Sequence, residues 1–172
     1  QSREYAEKRD AVFVHPFDDP DVVAGQGTIG VELVNDWKEI ADENRNLDSP
    51  DYLIIPCGGG GLLAGIGTVI AKEWPKTTII AVEPERVPSL SAAFEQGSPS
   101  RVSGDSTIAE GAAVRLIGKN TLACVQKFLH PDHIWAVTEN NIAVAILSLM
   151  EDARVLAEGA AAIPLAAMIQ KE

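Results

Sequence analysis

Cysteine is nearly absent from this sequence: Cys57 and Cys124 stand far apart and make no Cys-x-x-Cys pair. That excludes the dense bridge framework of a small secreted domain and favours a reduced, intracellular setting, with the cytoplasm as the expected address. Long apolar runs are missing too. None approaches the roughly 18 residues that suggest a membrane span, and the opening QSREYAEKRD has no signal-peptide character. Basic residues are scarce, 14 Lys and Arg against 25 Asp and Glu, for a formal net charge of -11. The nearest thing to a basic cluster, Lys8-Arg9, lies beside Glu4, Glu7 and Asp10. No stripe is left for a phosphate backbone, which argues against nucleic acid as a partner. What remains is ordinary for a globular protein: 46% hydrophobic and 23% charged residues. A chain of 172 residues can bury about 70% of its unfolded surface, and a single domain over 1–172 is expected.

Patterning predicts an α/β chain, a parallel sheet flanked by helices. SREYAEKRD reads as the polar end of a helix and AVFVH as a short buried strand. At DDPDVVAGQGTIGVELVNDWKEIADE, Asp19 is placed to cap a helix with Pro20 in its first turn. Its apolar Val23, Ile29, Leu33, Trp37 and Ile40 recur at helical spacing, and Gly25, Gly27 and Gly30 imply a close neighbour. After the polar ENRNLDSPD loop, YLIIP has the continuous apolar character of a strand buried on both faces. LLAGIGTVIAKEW predicts a helix stopped by Pro75 and TTIIAVEP a second strand, completing a βαβ unit. Beyond it come a short helix within 89–95, a long Gly/Ser/Pro-rich loop and a helix over RLIGKNTLACVQKFL. HIWAV is the third parallel strand, Thr138 caps a helix with Ile142, Ile146, Leu149 and Met150 on its apolar stripe, and a last helix runs through GAAAIPLAAMIQ.

The segment Pro56-Cys57-Gly58-Gly59-Gly60-Gly61-Leu62 stands where a strand ends and a helix begins. Consecutive glycines let the backbone curl until several N–H groups converge, and the helix N-terminus adds roughly half a positive charge. The natural ligand is a phosphate. Spacing alone leaves its parent molecule open. Gly59, Gly61 and Ala64 satisfy the looser dinucleotide pattern G-x-G-x-x-A, with Glu83 ending the next strand where a ribose-binding acid would sit. No Lys-Ser or Lys-Thr follows the glycines, so a Walker loop is excluded.

HPFDDPDVVAGQGTIGVEL resembles the segment before the phosphate loop of threonine dehydratases, and PCGGGGLLAGIG is similar to their tetraglycine phosphate cup. AVEPE, TIAEGAAVR and LAEGAAA resemble further segments of that family in the same order, so the likeness covers nearly the whole chain. The chain is thereby identified as a member of the threonine dehydratase and serine racemase family of fold-type II pyridoxal-phosphate enzymes. The resemblance implies that Gly58, Gly59, Gly60, Gly61 and Leu62 hold pyridoxal 5'-phosphate through backbone amides, with Gly111 close to the cofactor ring and Glu158 near it. Glu110 stands where the family has aspartate. Some relatives bind a divalent cation through positions matching Glu83, the Val87 carbonyl and an aspartate. Ser89 replaces that aspartate, which weakens a metal site, and Ser89 reads more simply as a helix cap after Pro88.

The activity implied is ammonia-lyase chemistry on threonine or serine, giving a 2-oxo acid and ammonia, with serine racemase as the close alternative and a non-catalytic phosphate- or dinucleotide-binding module as the alternative of another class. The family's reaction needs a lysine that binds the cofactor covalently and moves the α-proton. Lys8, Lys38, Lys72, Lys76, Lys119, Lys127 and Lys171 are the lysines here, and none stands in the family's Ser-Phe-Lys context. The chain therefore reads as a fragment cut at both ends, without a catalytic residue of its own. His15 is expected to pack, and His130 and His133 to flank a turn at Pro131-Asp132. A dimer or tetramer is implied by the family's habit.

Overall fold

The computed structural model describes residues 2–44 and 48–171; Arg45, Asn46 and Leu47 of the expected ENRNLDSPD loop lie outside the described residues. The elements in chain order are α1 (Ser2–Lys8), α2 (Pro20–Asn44), β1 (Tyr52–Pro56), α3 (Gly61–Glu73), β2 (Thr78–Pro84) and α4 (Ser89–Gln96). Then follow α5 (Lys119–Val125), β3 (Ile134–Val137), α6 (Glu139–Glu151) and α7 (Gly159–Lys171), with single 3-10 turns at Glu110–Ala112 and Pro131–His133.

The three strands form a parallel sheet in the order β1-β2-β3, with β2 in the centre. Tyr52 pairs with Thr78 and Pro56 with Val82 on one side, Ala81 with Ile134 and Pro84 with Val137 on the other. Strand alternation divides the core in two. Ile79 and Ala81 point into a cluster with Ile55 of β1, Leu63, Ile66 and Ile70 of α3, and Leu122 and Val125 of α5. Ile80 and Val82 point the other way, onto Ile142 and Ala145 of α6 and Ile163, Ala166 and Ala167 of α7. The result is a sheet sandwiched between two helical layers, as the βαβ pattern requires. Helix α2 reaches the core through α3, where Gly27 faces the Gly65 carbonyl and Gly30 the Val69 side chain.

Local signals set the helix ends. The Asp19 carboxylate accepts from Asp21 N–H at 2.9 Å at the start of α2, and Thr138 Oγ1 accepts from Asn141 N–H at 3.2 Å at the start of α6. Helix α3 ends at Glu73, with Trp74 at its C-cap just before Pro75. Helix α7 carries Pro164 inside it, as the sequence demands.

Several expectations are corrected. AVFVH is not a strand: no described segment pairs with it, and Val12 is 90% exposed. A strand needs a ladder partner, and apolar character alone supplies none. YLIIP forms the edge strand β1, paired only with β2 among the described residues; its faces are covered as expected, Ile55 in one core cluster and Ile54 against the other, and only Tyr52 at the strand's start is exposed, at 64%. RLIGKNTLACVQKFL is helical only over Lys119–Val125, because Gly118 adopts an extended conformation at the N-cap and Arg115 to Ile117 stay out of the helix. On α2, Ile29 and Ile40 are exposed while Val34 is buried, and on α6 Met150 is exposed. Each of these helices has one neighbouring layer, and only the residues that face it are covered. Gly25 has nothing within 4 Å of the space its Cβ would fill, so no neighbour explains it.

Candidate functional site

Strand β1 delivers the chain into the glycine loop, and α3 begins at Gly61. Gly60 is the residue that needs glycine for its backbone: its φ of +90° is a left-handed conformation at the helix N-cap. Gly59 needs glycine for space, because the Phe17 ring lies where a Cβ would be. Among the described residues, the N–H groups of Gly58 to Leu62 meet no protein acceptor, the first bond of the helix being Ala64 N–H to Gly60 O at 2.8 Å. These amides, together with the N-terminal end of α3, border a cleft of about 710 Å³.

The opposite wall comes from two distant parts of the chain. Gly111 N–H donates to Glu158 Oε1 at 3.0 Å, and a Cβ on Gly111 would collide with that carboxylate. The Glu158 carbonyl also accepts from Ala161 N–H at 3.0 Å as α7 begins. Glu158 therefore serves as the residue at the helix start and as a wall of the cleft at once. The loop ahead of Gly111 is tied down by Glu139, whose carboxylate accepts from Thr107 Oγ1 at 2.6 Å and Ile108 N–H at 2.9 Å. All of Gly58, Gly59, Gly60, Gly61, Leu62, Gly111 and Glu158 line this one cleft.

Pro16, Phe17 and Gln26 line it as well, and they were not singled out from the sequence. The signal was present in HPFDD and AGQGT, segments noted only for their place in the order of motifs. His15 packs edge-on to Phe17 at 4.6 Å between ring centroids, and its Nδ1 accepts from Asp18 N–H at 3.0 Å. His130 caps the 3-10 turn Pro131–His133 and His133 ends it, away from the cleft. No lysine lines the cleft among the described residues.

Glu83 lies elsewhere. It is fully buried, and its two carboxylate oxygens accept from Leu90 N–H at 2.8 Å, Ser91 N–H at 2.9 Å and Ser91 Oγ at 2.5 Å. It thus closes the N-terminus of α4, the task expected of Ser89, which is itself buried inside the first turn and makes no side-chain cap. A carboxylate consumed in this way is not presented to a ribose, so the dinucleotide pattern loses its acidic partner. Burial pushes the Glu83 carboxyl up from its usual value, against the opposing pull of the Ser91 and Leu90 donors. The same burial, with the Glu83 charge nearby, pushes the Cys57 thiol up and leaves it a poor nucleophile.

The cleft has the donor set for a phosphate monoester: unspent amides, a helix N-terminus and no carboxylate on the glycine-loop side. On its far wall the space that a Gly111 side chain would take is filled by the Glu158 carboxylate. Pyridoxal phosphate fits these residues.

Comparison with known proteins gives the same direction. The family described as pyridoxal-phosphate dependent enzyme matches residues 1–172. The L-threonine ammonia-lyase of Thermotoga maritima is 42% identical over 165 residues, covering 96% of this chain and 38% of that protein. Among solved structures, a threonine deaminase from T.th. aligns with a TM-score of 0.88 at 32% identity, over 98% of this chain and 54% of its own. Maize serine racemase aligns with a TM-score of 0.83 at 28% identity, over 96% and 46%. The chain spans between 38% and 54% of the length of these relatives.

Proposed function

Because the chain belongs to the family of pyridoxal-phosphate dependent enzymes, we propose that it supplies the cofactor-phosphate cradle of an ammonia-lyase acting on L-threonine or L-serine. The observation that carries this reading is the convergence of the Gly58 to Leu62 amides and the α3 N-terminus on one cleft, faced by Gly111 and Glu158. When bound, pyridoxal phosphate supplies an electron sink for bonds broken at the α-carbon of an amino acid. The glycine-loop amides bind and orient the phosphate dianion, and the dipole of α3 favours its charge. Glu158 holds the Gly111 N–H and so fixes the height of the opposite wall. Phe17 covers Gly59 and excludes water from that side of the loop. Elimination of the β-hydroxyl together with the α-proton, followed by hydrolysis, converts threonine to 2-oxobutanoate and ammonia.

No lysine lines the cleft among the described residues, so these 172 residues by themselves bind cofactor and do not turn over threonine. Racemisation of serine is the second reading, favoured by the likeness to maize serine racemase. The identity to the ammonia-lyase of Thermotoga maritima is the higher of the two, which supports elimination. Residues 1–172 are read as one domain, since both core clusters share the central strand β2. The free thiols Cys57 and Cys124 suit a reducing compartment such as the cytoplasm, and the assembly is read as a homo-dimer or homo-tetramer.

The test has two stages. The chain is titrated with pyridoxine 5'-phosphate, which lacks the aldehyde and leaves surface lysines unmodified, and with NAD. Saturable binding of the first and none of the second is expected; preference for NAD would sink the reading. The chain is then mixed with a polypeptide carrying the lysine-bearing part of an ammonia-lyase relative, together with pyridoxal phosphate and threonine. 2-Oxobutanoate is expected from the mixture and not from the chain alone, while D-serine formed from L-serine without pyruvate would favour the racemase. A folded pair that yields neither product overturns both.

A further inference from the structure

The geometry points to Thr121 as a positioning residue for the phosphate cradle, locked in place by Asp18. The inference rests on the reading of Gly58 to Leu62 as a phosphate site.

An amide cradle works only if its peptide planes are turned with N–H groups toward the anion and carbonyls away. Glycine has no side chain to hold a plane, so the orientation has to be imposed from outside. In a planar trans peptide the carbonyl of one residue and the N–H of the next point in opposite directions, and fixing one fixes the other. The peptide joining Gly59 to Gly60 is held in this way. Its carbonyl accepts from Thr121 Oγ1 at 2.9 Å and from Gly118 N–H at 3.3 Å, both from the start of α5. The Gly60 N–H is thereby directed away from α5. Gly60 follows at φ +90°, and its own carbonyl starts the α3 ladder, so the turn is pinned on both sides of this peptide.

Thr121 is fully buried and does not line the cleft. Its hydroxyl proton is shared between Gly59 O and Gly118 O, the latter at 3.1 Å. The helix that carries it is seated by Asp18, whose carboxylate accepts from Lys119 N–H at 3.1 Å, Asn120 N–H at 2.8 Å and Thr121 N–H at 3.0 Å. Asn120 Nδ2 donates to the Asp18 carbonyl at 3.2 Å, closing the junction. Asp18 follows Phe17, whose ring covers Gly59, so one short segment both roofs the loop and anchors the helix that turns its peptide. A valine at 121 would fill the same volume and leave the Gly59 carbonyl with the long bond from Gly118 alone.

The experiment compares the chain with T121V, T121S and D18N. Calorimetric titration uses pyridoxine 5'-phosphate and, as the arm without phosphate, pyridoxine; amide exchange is followed on the ligand-free proteins. T121V is expected to weaken pyridoxine 5'-phosphate by about tenfold, the factor that one ordinary hydrogen bond commands, with no change toward pyridoxine. T121S is expected to restore binding, and D18N to shift it in the same direction as T121V. The loop's hydrogen-bonded reporters, Gly118 N–H on the Gly59 carbonyl and Ala64 N–H on the Gly60 carbonyl, should exchange faster in T121V while β2 amides keep their protection. Equal affinity and equal exchange in T121V and the wild-type chain overturn the assignment, as does a T121S variant no better than T121V. Failure of the wild-type chain to bind pyridoxine 5'-phosphate removes the proposed function instead; faster loop exchange in T121V then still upholds the clamp, and unchanged exchange overturns it. Should T121V not fold, D18N with wild-type loop exchange and affinity overturns it equally.

Discussion

A buried carboxylate has to find donors within its own fold, and Glu83 finds three in the first turn of α4. Its carboxyl is raised above its usual 4.5 mainly by burial. For an acid raised in the folded state, the stabilising contribution is fully present below the unfolded value and is lost as pH climbs through the folded one. Urea unfolding of the wild-type chain relative to E83Q should therefore show the wild type losing ground as pH rises above 4.5; a difference that stays flat with pH would contradict the assignment. The sequence could not place this residue. Strand-end position made Glu83 look like a ribose acid and the family resemblance made it look like a metal ligand, while its true partners, Leu90 and Ser91, lie seven and eight residues on and are brought to it by the turn at Glu85-Arg86. Gly111 was better signposted, by the motif around it. Its substitution G111A should force Glu158 aside and weaken pyridoxine 5'-phosphate binding by roughly tenfold or more, the scale of one displaced polar contact, with E158Q having less effect because the amide oxygen still accepts from Gly111. Binding by G111A at wild-type strength would remove Gly111 from the site.

At the scale of elements, the packing of α2 on α3 is a contact between backbones, and it sorts the glycines by consequence. Gly65 of α3 faces the Val23 carbonyl at 2.5 Å and Gly27 N at 2.7 Å from the position of its absent Cβ. G65A has no flexible side chain to push away and should cost about 1–3 kcal/mol, the usual toll of overpacking. Gly25 is exposed in the same helix pair with nothing within 4 Å. G25A should stabilise by about 0.5–1 kcal/mol through helix propensity alone. Thermal unfolding of both variants reads the contrast directly, and a G65A chain as stable as the wild type would mean that the helices do not approach as closely as described. The elements themselves were largely legible: YLIIP, TTIIAVEP and HIWAV carried strand composition, and Asp19 and Thr138 marked helix starts by their caps. The misreadings share a cause. AVFVH and RLIGKN have the composition of regular elements, but membership of a sheet depends on a partner strand and membership of a helix on the Gly118 N-cap conformation, and neither is a property of the segment's own pattern.

Over the whole molecule, two surfaces are left without cover among the described residues. Strands β1 and β3 each pair on one side only, and the α6 and α7 layer on one face of the sheet, with the connection between its helices, exposes Val144, Leu147, Met150, Val155 and Met168, with Leu156 89% exposed. An open edge beside apolar surface is a template for association. A net charge of -11 opposes it, since like-charged chains repel until salt screens them, over a Debye length of about 10 Å at 0.1 M. The two effects scale differently with ionic strength: screening removes the repulsion, while apolar burial is untouched or strengthened. The 172-residue chain should therefore be closest to monomeric at low salt and low concentration, and should associate reversibly as either is raised. Sedimentation velocity across a salt and concentration series measures this. A chain that stays monomeric at high concentration and high salt would mean that these faces are too uneven to pair, and a chain that associates more strongly at low salt would mean that complementary charge, and not the apolar surface, brings the copies together.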